Sequence, residues 1–467
     1  MIRTAGYLSA LCLLVTPAVA SAYTVTLTPG SLAESMKEIA ASGDSSLKLE
    51  GNADIRDLLR LQSLPQAITD LDMSGLRIVE FSSNRPYYDG HSLFRANELP
   101  ANLFFESGLR SVSLPDNIKE LPEGLFAGSE VEAVAIPSTV VRISPRAFYS
   151  CARLGTVSFP ASLSYIGEEA FAGCTSLSRV DLAATSLREL GRRAFFGDSS
   201  LADVTLSPAL TGIGEEAFSG AGIRSLDASM ATRLDSFSLS GMKDAESVRI
   251  NADASYGVGV LMANLSLKEA SGIPHDLPAL LLAQSPLTNI GPAVSAANVI
   301  GEYALAANNI DKITLSSDLG RVARGAFYGM PQLVSIDATA LRGTLPEADD
   351  ESFRGINQSA VTLFVSEDYE AMWSLHPAWG RFKIAKVSIA PVTDGSEIRV
   401  AASEGTVTVK ASEIIERAEV FGKGGELLAM SSPGDTECRL DMAGDCDIIV
   451  VRVTTPSVTK SFKIMMR

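Results

Sequence analysis

The sequence predicts a mainly β repeat protein, a right-handed solenoid of about twelve coils followed by a small β-sandwich. A large apolar residue recurs about every 22 residues, and a short alternating strand follows it at a fixed distance. From about residue 386 this repeat gives way to short strands separated by turn signals. We therefore divide the chain into a leader (1–22), an amino-terminal cap (23–80), a solenoid with its own terminal cap (81–385) and a sandwich domain (386–467).

One residue of each predicted coil, here called the marker, is a large apolar side chain. The four best copies end in Ala-Phe, as in Ala170–Phe171. The markers are separated by 21 to 26 residues, and they are Phe104, Phe126, Phe148, Phe171, Phe195, Phe218, Leu239, Leu261, Leu282, Leu305, Phe327 and Phe353. One coil cannot bury its own apolar face, so a period of this length indicates coils that stack.

A short strand follows each marker, as in Val112-Ser113-Leu114 and Val180-Asp181-Leu182. Alternation of this kind places two side chains inside and one outside. Proline ends several of these strands, because it has no N–H to donate to a sheet; the residues are Pro115, Pro137, Pro160 and Pro208. Stacked coils would pair the strands into a parallel sheet, with about 4.8 Å between neighbours.

The composition argues against several classes of function. There are 39 basic and 55 acidic residues, a net charge of −16, and no basic cluster. Phosphate binding needs clustered lysine and arginine, so we expect no nucleic-acid partner. The three histidines are far apart, and no catalytic or zinc-binding motif occurs. We therefore expect no enzyme activity, no metal and no cofactor, and we assign no catalytic residue.

The first residues have the pattern of an export signal. Arg3 supplies a positive charge, Leu8 to Val15 is apolar, and Ala18–Ala20 and Ala20–Ala22 both offer cleavage sites. No later segment has 18 uninterrupted apolar residues, so we expect no transmembrane helix in the mature chain. The expected location is the cell surface, the outer membrane or the medium.

The segment from Ile166 to Leu182, Ile-Gly-Glu-Glu-Ala-Phe-Ala-Gly-Cys-Thr-Ser-Leu-Ser-Arg-Val-Asp-Leu, resembles the BspA-like leucine-rich repeats of bacterial surface proteins. The resemblance covers about residues 70–385 and implies a leucine-rich-repeat solenoid. It also implies an exported, adhesin-like protein that binds host or neighbouring-cell proteins or glycans. A structural or assembly component of the cell envelope is the alternative. In either case we expect a monomer.

The outward residues of the short strands are the first candidate for ligand binding. They are small and polar, and they include Ser113, Ser158, Asp181, Thr205, Asp227 and Arg249. Such a surface either meets a polar ligand or is inert. Tyr87 and Tyr88, in a turn-rich loop, are the second candidate, and they either bind a ligand or cover the open end of the solenoid.

Charged side chains and cysteines also recur in register. Arg146, Glu169, Arg193 and Glu216 alternate in sign two residues before their markers, which predicts an ion-pair ladder more than a binding stripe. Cys151 and Cys174 occupy equivalent positions in adjacent coils and are either bridged or free. Cys438 and Cys446 flank a predicted hairpin turn, where a disulfide is as plausible as two thiols.

Two features follow the last marker. An aromatic cluster, Tyr369, Trp373, Trp379 and Phe382, predicts a cap more than a sugar site. The segments Ala418–Leu428 and Ile449–Val453 resemble the C-terminal sorting domain of type IX secretion. Cys446-Asp447 stands where that family usually has Gly-x-Tyr, so an accessory sandwich remains the other interpretation.

Overall fold

A computed structural model of the protein describes residues 22–287, 294–387, 398–403, 406–421, 427–442, 448–456 and 459–465. The predicted leader, apart from residue 22, and Cys446 lie outside these residues. The chain divides after Val387 into two compact units. Each unit has its own buried apolar core.

The amino-terminal region begins the solenoid sheet instead of standing apart from it. Its strands Tyr23–Leu27, Ser46–Ala53 and Asp70–Ile78 pair in parallel with one another, and the third pairs with the first coil. Two helices lie among these strands, at Leu32–Ser42 and Ile55–Arg60, and the second is followed by a 3-10 turn at Leu61–Ser63. These elements therefore cap the array by continuing its hydrogen bonding.

The buried carboxylate of Asp57 fixes the two helices of this cap. It accepts hydrogen bonds from the amides of Asp54, Gly30 and Leu32, at 3.1, 2.7 and 2.9 Å. Asp54 in turn accepts from the amide of Arg56 at 2.9 Å, which completes a capping box. The side chain of Asp57 thus satisfies amides at the start of both helices.

In the described residues, ten coils each contribute one three-residue strand to a first wall of the solenoid. These strands are Ser111–Ser113, Ala133–Ala135, Thr156–Ser158, Arg179–Asp181, Asp203–Thr205, Ser225–Asp227, Ser247–Arg249, Glu269–Ser271, Lys312–Thr314 and Ser335–Asp337. They pair in parallel with the equivalent strand of an adjacent coil, as Ser111–Ser113 pairs with Ala133–Ala135. The predicted parallel sheet is therefore confirmed.

A second wall consists of two-residue strands, which also pair in parallel. They are Glu120–Leu121, Arg142–Ile143, Tyr165–Ile166, Glu189–Leu190, Gly212–Ile213, Arg233–Leu234, Ser255–Tyr256, Asp276–Leu277, Val299–Ile300 and Arg321–Val322. We call the two walls the long-strand wall and the short-strand wall. A separate antiparallel pair, Phe81–Ser82 with Leu93–Phe94, forms a hairpin before the first coil.

The markers form one inward row between these walls. All twelve are at most 2% exposed, including the four leucines in the middle of the array. From Phe104 to Phe218 the phenylalanine rings stack with centroids 4.9 to 5.5 Å apart. The amide of each marker from Phe104 to Leu305 donates to a carbonyl of the next coil at 2.7 to 3.1 Å. The register of the repeat predicted through the four coils with leucine markers is thus confirmed.

Three residues after the marker lies a second buried row, which we call the inner polar row. Its polar members are Ser129, Cys151, Cys174, Asp198, Asn264, Ser285 and Asn308. Cys151 and Cys174 are free thiols, and their sulfurs donate to the carbonyls of Phe126 and Phe148 at 3.0 and 3.1 Å. Each of these carbonyls also accepts a main-chain amide, that of Ser129 or Cys151, so the row adds a second hydrogen bond to carbonyls of the turns.

Asp198 is the charged exception in the inner polar row. Its Oδ1 accepts from the amide of Cys174 at 2.8 Å, as Oδ1 of Asn264 accepts from Met242. The amide nitrogen of Asn264 donates to the carbonyls of Leu239 and Leu261, whereas Oδ2 of Asp198 has no hydrogen-bond partner among the described residues. Burial raises the pKa of Asp198 well above its ordinary value, against the lowering effect of the amides of Cys174 and Gly173.

The aromatic cluster after the last marker closes the inward row. Trp379 and Phe382 meet the ring of Phe353 edge-on, with centroids 4.6 and 4.9 Å away, and both are buried. The strands Thr362–Ser366 and Lys383–Val387 extend the long-strand wall past the last coil. A 3-10 turn at Gln358–Ala360 precedes these two strands. Between them lie the 3-10 turn Glu367–Tyr369, the helix Glu370–Leu375 and the 3-10 turn Trp379–Arg381.

The second unit contains two antiparallel sheets around one apolar core, as predicted for a β-sandwich. One sheet contains Ile398–Ser403, Thr406–Ile415 and Asp435–Asp441, and the other Arg417–Phe421, Leu427–Ser431, Ile448–Thr454 and Thr459–Met465. Val409 and Val451 bring the two sheets into the same core. Cys438 is buried there, and its pairing with Cys446 stays a prediction because Cys446 lies outside the described residues.

Truncation of one marker tests the importance of the inward row. Phe171→Ala removes a ring stacked on both sides, and we expect a loss of about 3–5 kcal/mol in the free energy of unfolding. Urea unfolding followed by circular dichroism measures it. Leu265→Ala, at a side chain 69% exposed, is the matched control and should change stability by less than about 0.5 kcal/mol. Equal effects would contradict this account of the core.

Replacing Asp198 tests the inner polar row. Because its pKa is raised in the folded protein, the folded state holds a proton that the unfolded chain releases, and stability falls as pH rises through the folded pKa. Asp198→Asn supplies the donor permanently, so it should stabilise the protein by about 1–3 kcal/mol above that pKa and less in acid. Urea midpoints between pH 4 and pH 8 measure this. Asp203→Asn, at an exposed residue, should show no such trend, and a destabilised Asp198→Asn at every pH would refute the assignment.

Candidate functional site

The outward residues of the long-strand wall, whose strands belong to three hydrogen-bonded sheets, form the surface here called the strand face. In each strand the central side chain points into the core, while the residues on either side face solvent, as in Ser225-Leu226-Asp227. Most of the predicted residues are exposed, whereas Ser113 is half-buried. Register joins them, since Asp181 lies opposite Thr205 and Asp227 lies opposite Arg249.

Each strand presents a second outward residue that the sequence analysis did not include. This column lies two residues earlier in each strand and contains Ser111, Ala133, Thr156, Arg179, Asp203, Ser225, Ser247 and Glu269. Within it, the hydroxyls of Ser225 and Ser247 are 2.8 Å apart. The strict alternation around the buried central residue was the signal that could have identified it.

The aspartates of the strand face already have a structural role. Oδ1 of Asp227 accepts from the amide and the hydroxyl of Ser229, at 2.9 and 2.6 Å. Oδ1 of Asp181 accepts from the amide of Ala183 at 3.2 Å. Such turns end the strand where the closing proline is missing, because an aspartate side chain can hydrogen-bond to the backbone two residues ahead. The hydrogen bonds of Asp181 and Asp227 therefore serve mainly to form the turns that end their strands.

The electrostatics of the strand face are mild. Hydrogen bonds from the hydroxyl and the amide of Ser229 lower the pKa of Asp227, and the positive charge of Arg249 adds to this. Arg179 pairs with Asp181 at 3.3 Å on the same strand, with both side chains more than half exposed. The surface thus offers serine and threonine hydroxyls between compensated charges, a chemistry suited to hydrogen bonding with a polar ligand.

Tyr87 and Tyr88 lie in the hairpin between Phe81–Ser82 and Leu93–Phe94, which is a sheet separate from the strand face. Tyr87 is 49% exposed and its ring packs edge-on against Phe81 at 5.2 Å. Tyr88 lines a cleft of about 260 Å³ between the hairpin and the cap, together with Ile55, Leu58, Ile78 and Leu99. The solenoid sheet starts with Tyr23–Leu27, so this hairpin does not stand at the edge strand of that sheet.

The charged residues before the markers form the expected ion-pair ladder. Glu169 lies between two arginines: Nε of Arg146 is 2.7 Å from its Oε2, and a guanidinium nitrogen of Arg193 is 3.9 Å from its Oε1. Arg193 continues to Glu216 at 2.5 Å, and Arg192 pairs with Glu168. The four residues two positions before the markers adopt left-handed backbone angles, with φ between 52° and 57°; they are Arg146, Glu169, Arg193 and Glu216. The ladder joins one coil to the next in a conformation that favours glycine.

Two further kinds of functional feature are relevant to the described part of the chain, a metal site and a membrane span. Its histidine, cysteine, aspartate and glutamate side chains contain no group of three or more that could hold a metal ion. The helices of this part include none that is long and apolar enough to cross a bilayer.

Comparisons with known proteins agree with this architecture. The family model for the BspA type leucine rich repeat region matches six copies, over residues 97–224 and 285–368. No curated protein matches the chain in sequence. A leucine-rich repeat protein from Bacteroides ovatus ATCC 8483 superposes with a TM-score of 0.51 and 19% identity, covering 72% of this chain and 84% of that one. That likeness shows the fold.

Two other solved structures are more distant. A leucine rich cell surface protein from Faecalibacterium prausnitzii A2-165 has a TM-score of 0.33 and 16% identity, covering 64% of this chain and 90% of its own. The pneumococcal vaccine antigen PcpA has a TM-score of 0.41 and 13% identity, covering 73% and 80%. Over residues 97–224 and 285–368 the stacked coils match the BspA type leucine rich repeat region, and the same period continues through the coils between these two stretches.

Proposed function

We propose that the protein is exported and acts as an adhesin-like binding protein of the bacterial surface. In this proposal it recognises an extracellular protein or glycan through its solenoid. The observation that supports the proposal best is the alternation of buried and exposed side chains within each strand of the long-strand wall. The central side chain is committed to the core and its two neighbours face solvent, coil after coil.

This division gives the strand face both regularity and freedom. Substitution of an outward residue does not disturb the inward row, so the surface can be adapted to a ligand without loss of the fold. Small hydroxyl side chains let a partner approach the backbone closely. An acidic chain, with a net charge of −16, favours neutral or basic partners over anionic ones.

Binding of residues 23–467 to arrays of matrix proteins and glycans tests the proposal. We expect at least one ligand, and we expect the double variant Ala135→Arg, Thr205→Arg to weaken its binding at least tenfold, because two large side chains would block the strand face. Thr211→Arg, Ser255→Arg places the same charge at exposed residues of the short-strand wall and is the control. If the wild-type chain bound no ligand on either array, the proposal would be refuted.

A structural or assembly role in the cell envelope is the second candidate. The small, polar residues of the strand face and the separate sandwich unit favour this second role. Affinity capture from envelope extracts of the producing cell separates the two. Recovery of envelope components alone, with no array ligand, would replace the adhesin proposal by this one.

A further inference from the structure

A row of exposed aromatic rings runs along the outside of the marker turns. Each ring belongs to the residue directly after a marker: Phe105 is 53% exposed, Tyr149 is 41% exposed and Phe196 is 38% exposed. We call these three residues the aromatic row. What distinguishes these three from other exposed apolar residues of the protein is that they occupy one equivalent position of the repeat, and aligned exposed apolar groups can mark a binding surface.

The aromatic row occurs in alternate coils. In the intervening coils the equivalent residues are Ala127 and Ala172, which are 5% and 4% exposed. The backbone keeps all five in register, since the carbonyls of Ala127, Tyr149, Ala172 and Phe196 each accept an amide from the preceding coil at 2.7 to 2.9 Å. Aromatic rings therefore project at every second coil, and the coils between them have a small, buried alanine at the same position.

The spacing of the aromatic row follows from the stacking of the coils. The buried phenylalanine rings of these coils are 4.9 to 5.3 Å apart. Two coils thus separate successive exposed rings by about 10 Å, roughly twice the spacing of paired strands. The three rings together extend over four coil heights.

Two of the rings are held in place by the ion-pair ladder. The guanidinium of Arg146 lies over the ring of Tyr149 at 6.0 Å, and that of Arg193 over Phe196 at 5.2 Å. Each arginine is itself paired with a glutamate of the next coil, Glu169 or Glu216. The rings are therefore preorganised, which lowers the entropy lost on binding.

The same pairs exclude one class of partner. The charges of Arg146 and Arg193 are already compensated by carboxylates, so neither is available to a sulfate or carboxylate group of a ligand. Glu106, directly after Phe105 in the chain, is exposed and would repel an anionic ligand. The occupant that matches the charge is uncharged and offers apolar faces to aromatic rings.

We propose that the aromatic row binds a linear, uncharged, β-1,4-linked polysaccharide. A β-1,4-linked hexopyranose chain advances by about one coil height per sugar, and successive sugars turn over, so every second sugar presents an equivalent face. Pyranose faces carry C–H groups that stack on aromatic rings, while their edges carry hydroxyls. The row supplies one ring for every second sugar. This inference rests on the proposed binding function and names the ligand class and the residues.

Calorimetry with cellohexaose and hexa-N-acetylchitohexaose tests the proposal. We expect both to bind residues 23–467, and we expect the triple variant Phe105→Ala, Tyr149→Ala, Phe196→Ala to lose binding by at least tenfold. Tyr149→Phe keeps the ring and should keep the affinity. Tyr328→Ala is the matched control, because Tyr328 follows its marker in the same way and is 43% exposed but lies outside the row.

Thermal unfolding establishes that the triple variant is folded, as expected for changes at exposed residues. Maltohexaose, an α-linked chain that curves, should bind at least tenfold more weakly than cellohexaose. Equal binding of the two chains, or an undiminished affinity of the triple variant, would overturn the aromatic row as the site. Binding to a matrix protein on the arrays without binding to either β-linked hexasaccharide would overturn this inference and leave the proposed function standing.

Discussion

Burial of one apolar row between stacked coils is the constraint on which the rest of the structure depends. A single coil of about 22 residues encloses too little apolar surface to be stable, so each marker is covered only when its neighbours are present. The row accepts phenylalanine or leucine, as Phe218 and Leu239 show in consecutive coils. Size and position are what the core requires, and residue identity can drift.

This constraint determines what the outside of the molecule can do. Main-chain carbonyls in the turns accept additional hydrogen bonds from the inner polar row. The strands end at proline or at an aspartate whose side chain accepts a hydrogen bond from the amide two residues ahead. The remaining outward residues are not needed by the fold. Recognition can therefore vary over the strand face and the marker turns while the coil itself stays constant.

The sequence was sufficient for the period, the inward row and the strands, because burial in a solenoid follows linear spacing. The role of Asp227 was not predicted, because a carboxylate in an outward position looks available until the backbone of its turn is known. Tyr149 was also not predicted as a surface residue, because the best copy of the repeat has a small, buried residue after its marker, Ala172. The alternation of aromatic residues and alanine there, in Phe105, Ala127 and Tyr149, was the available signal.

Hydrogen–deuterium exchange across the whole solenoid tests the continuity of the row most directly. The amides of Leu239, Leu261 and Leu282 donate to carbonyls of the next coil, as the amides of the phenylalanine markers do. The account predicts that peptides containing these leucines are protected as strongly as those containing Phe148 and Phe171. Rapid exchange confined to residues 239–287, with protection on either side, would contradict it by dividing the array into two independent cores.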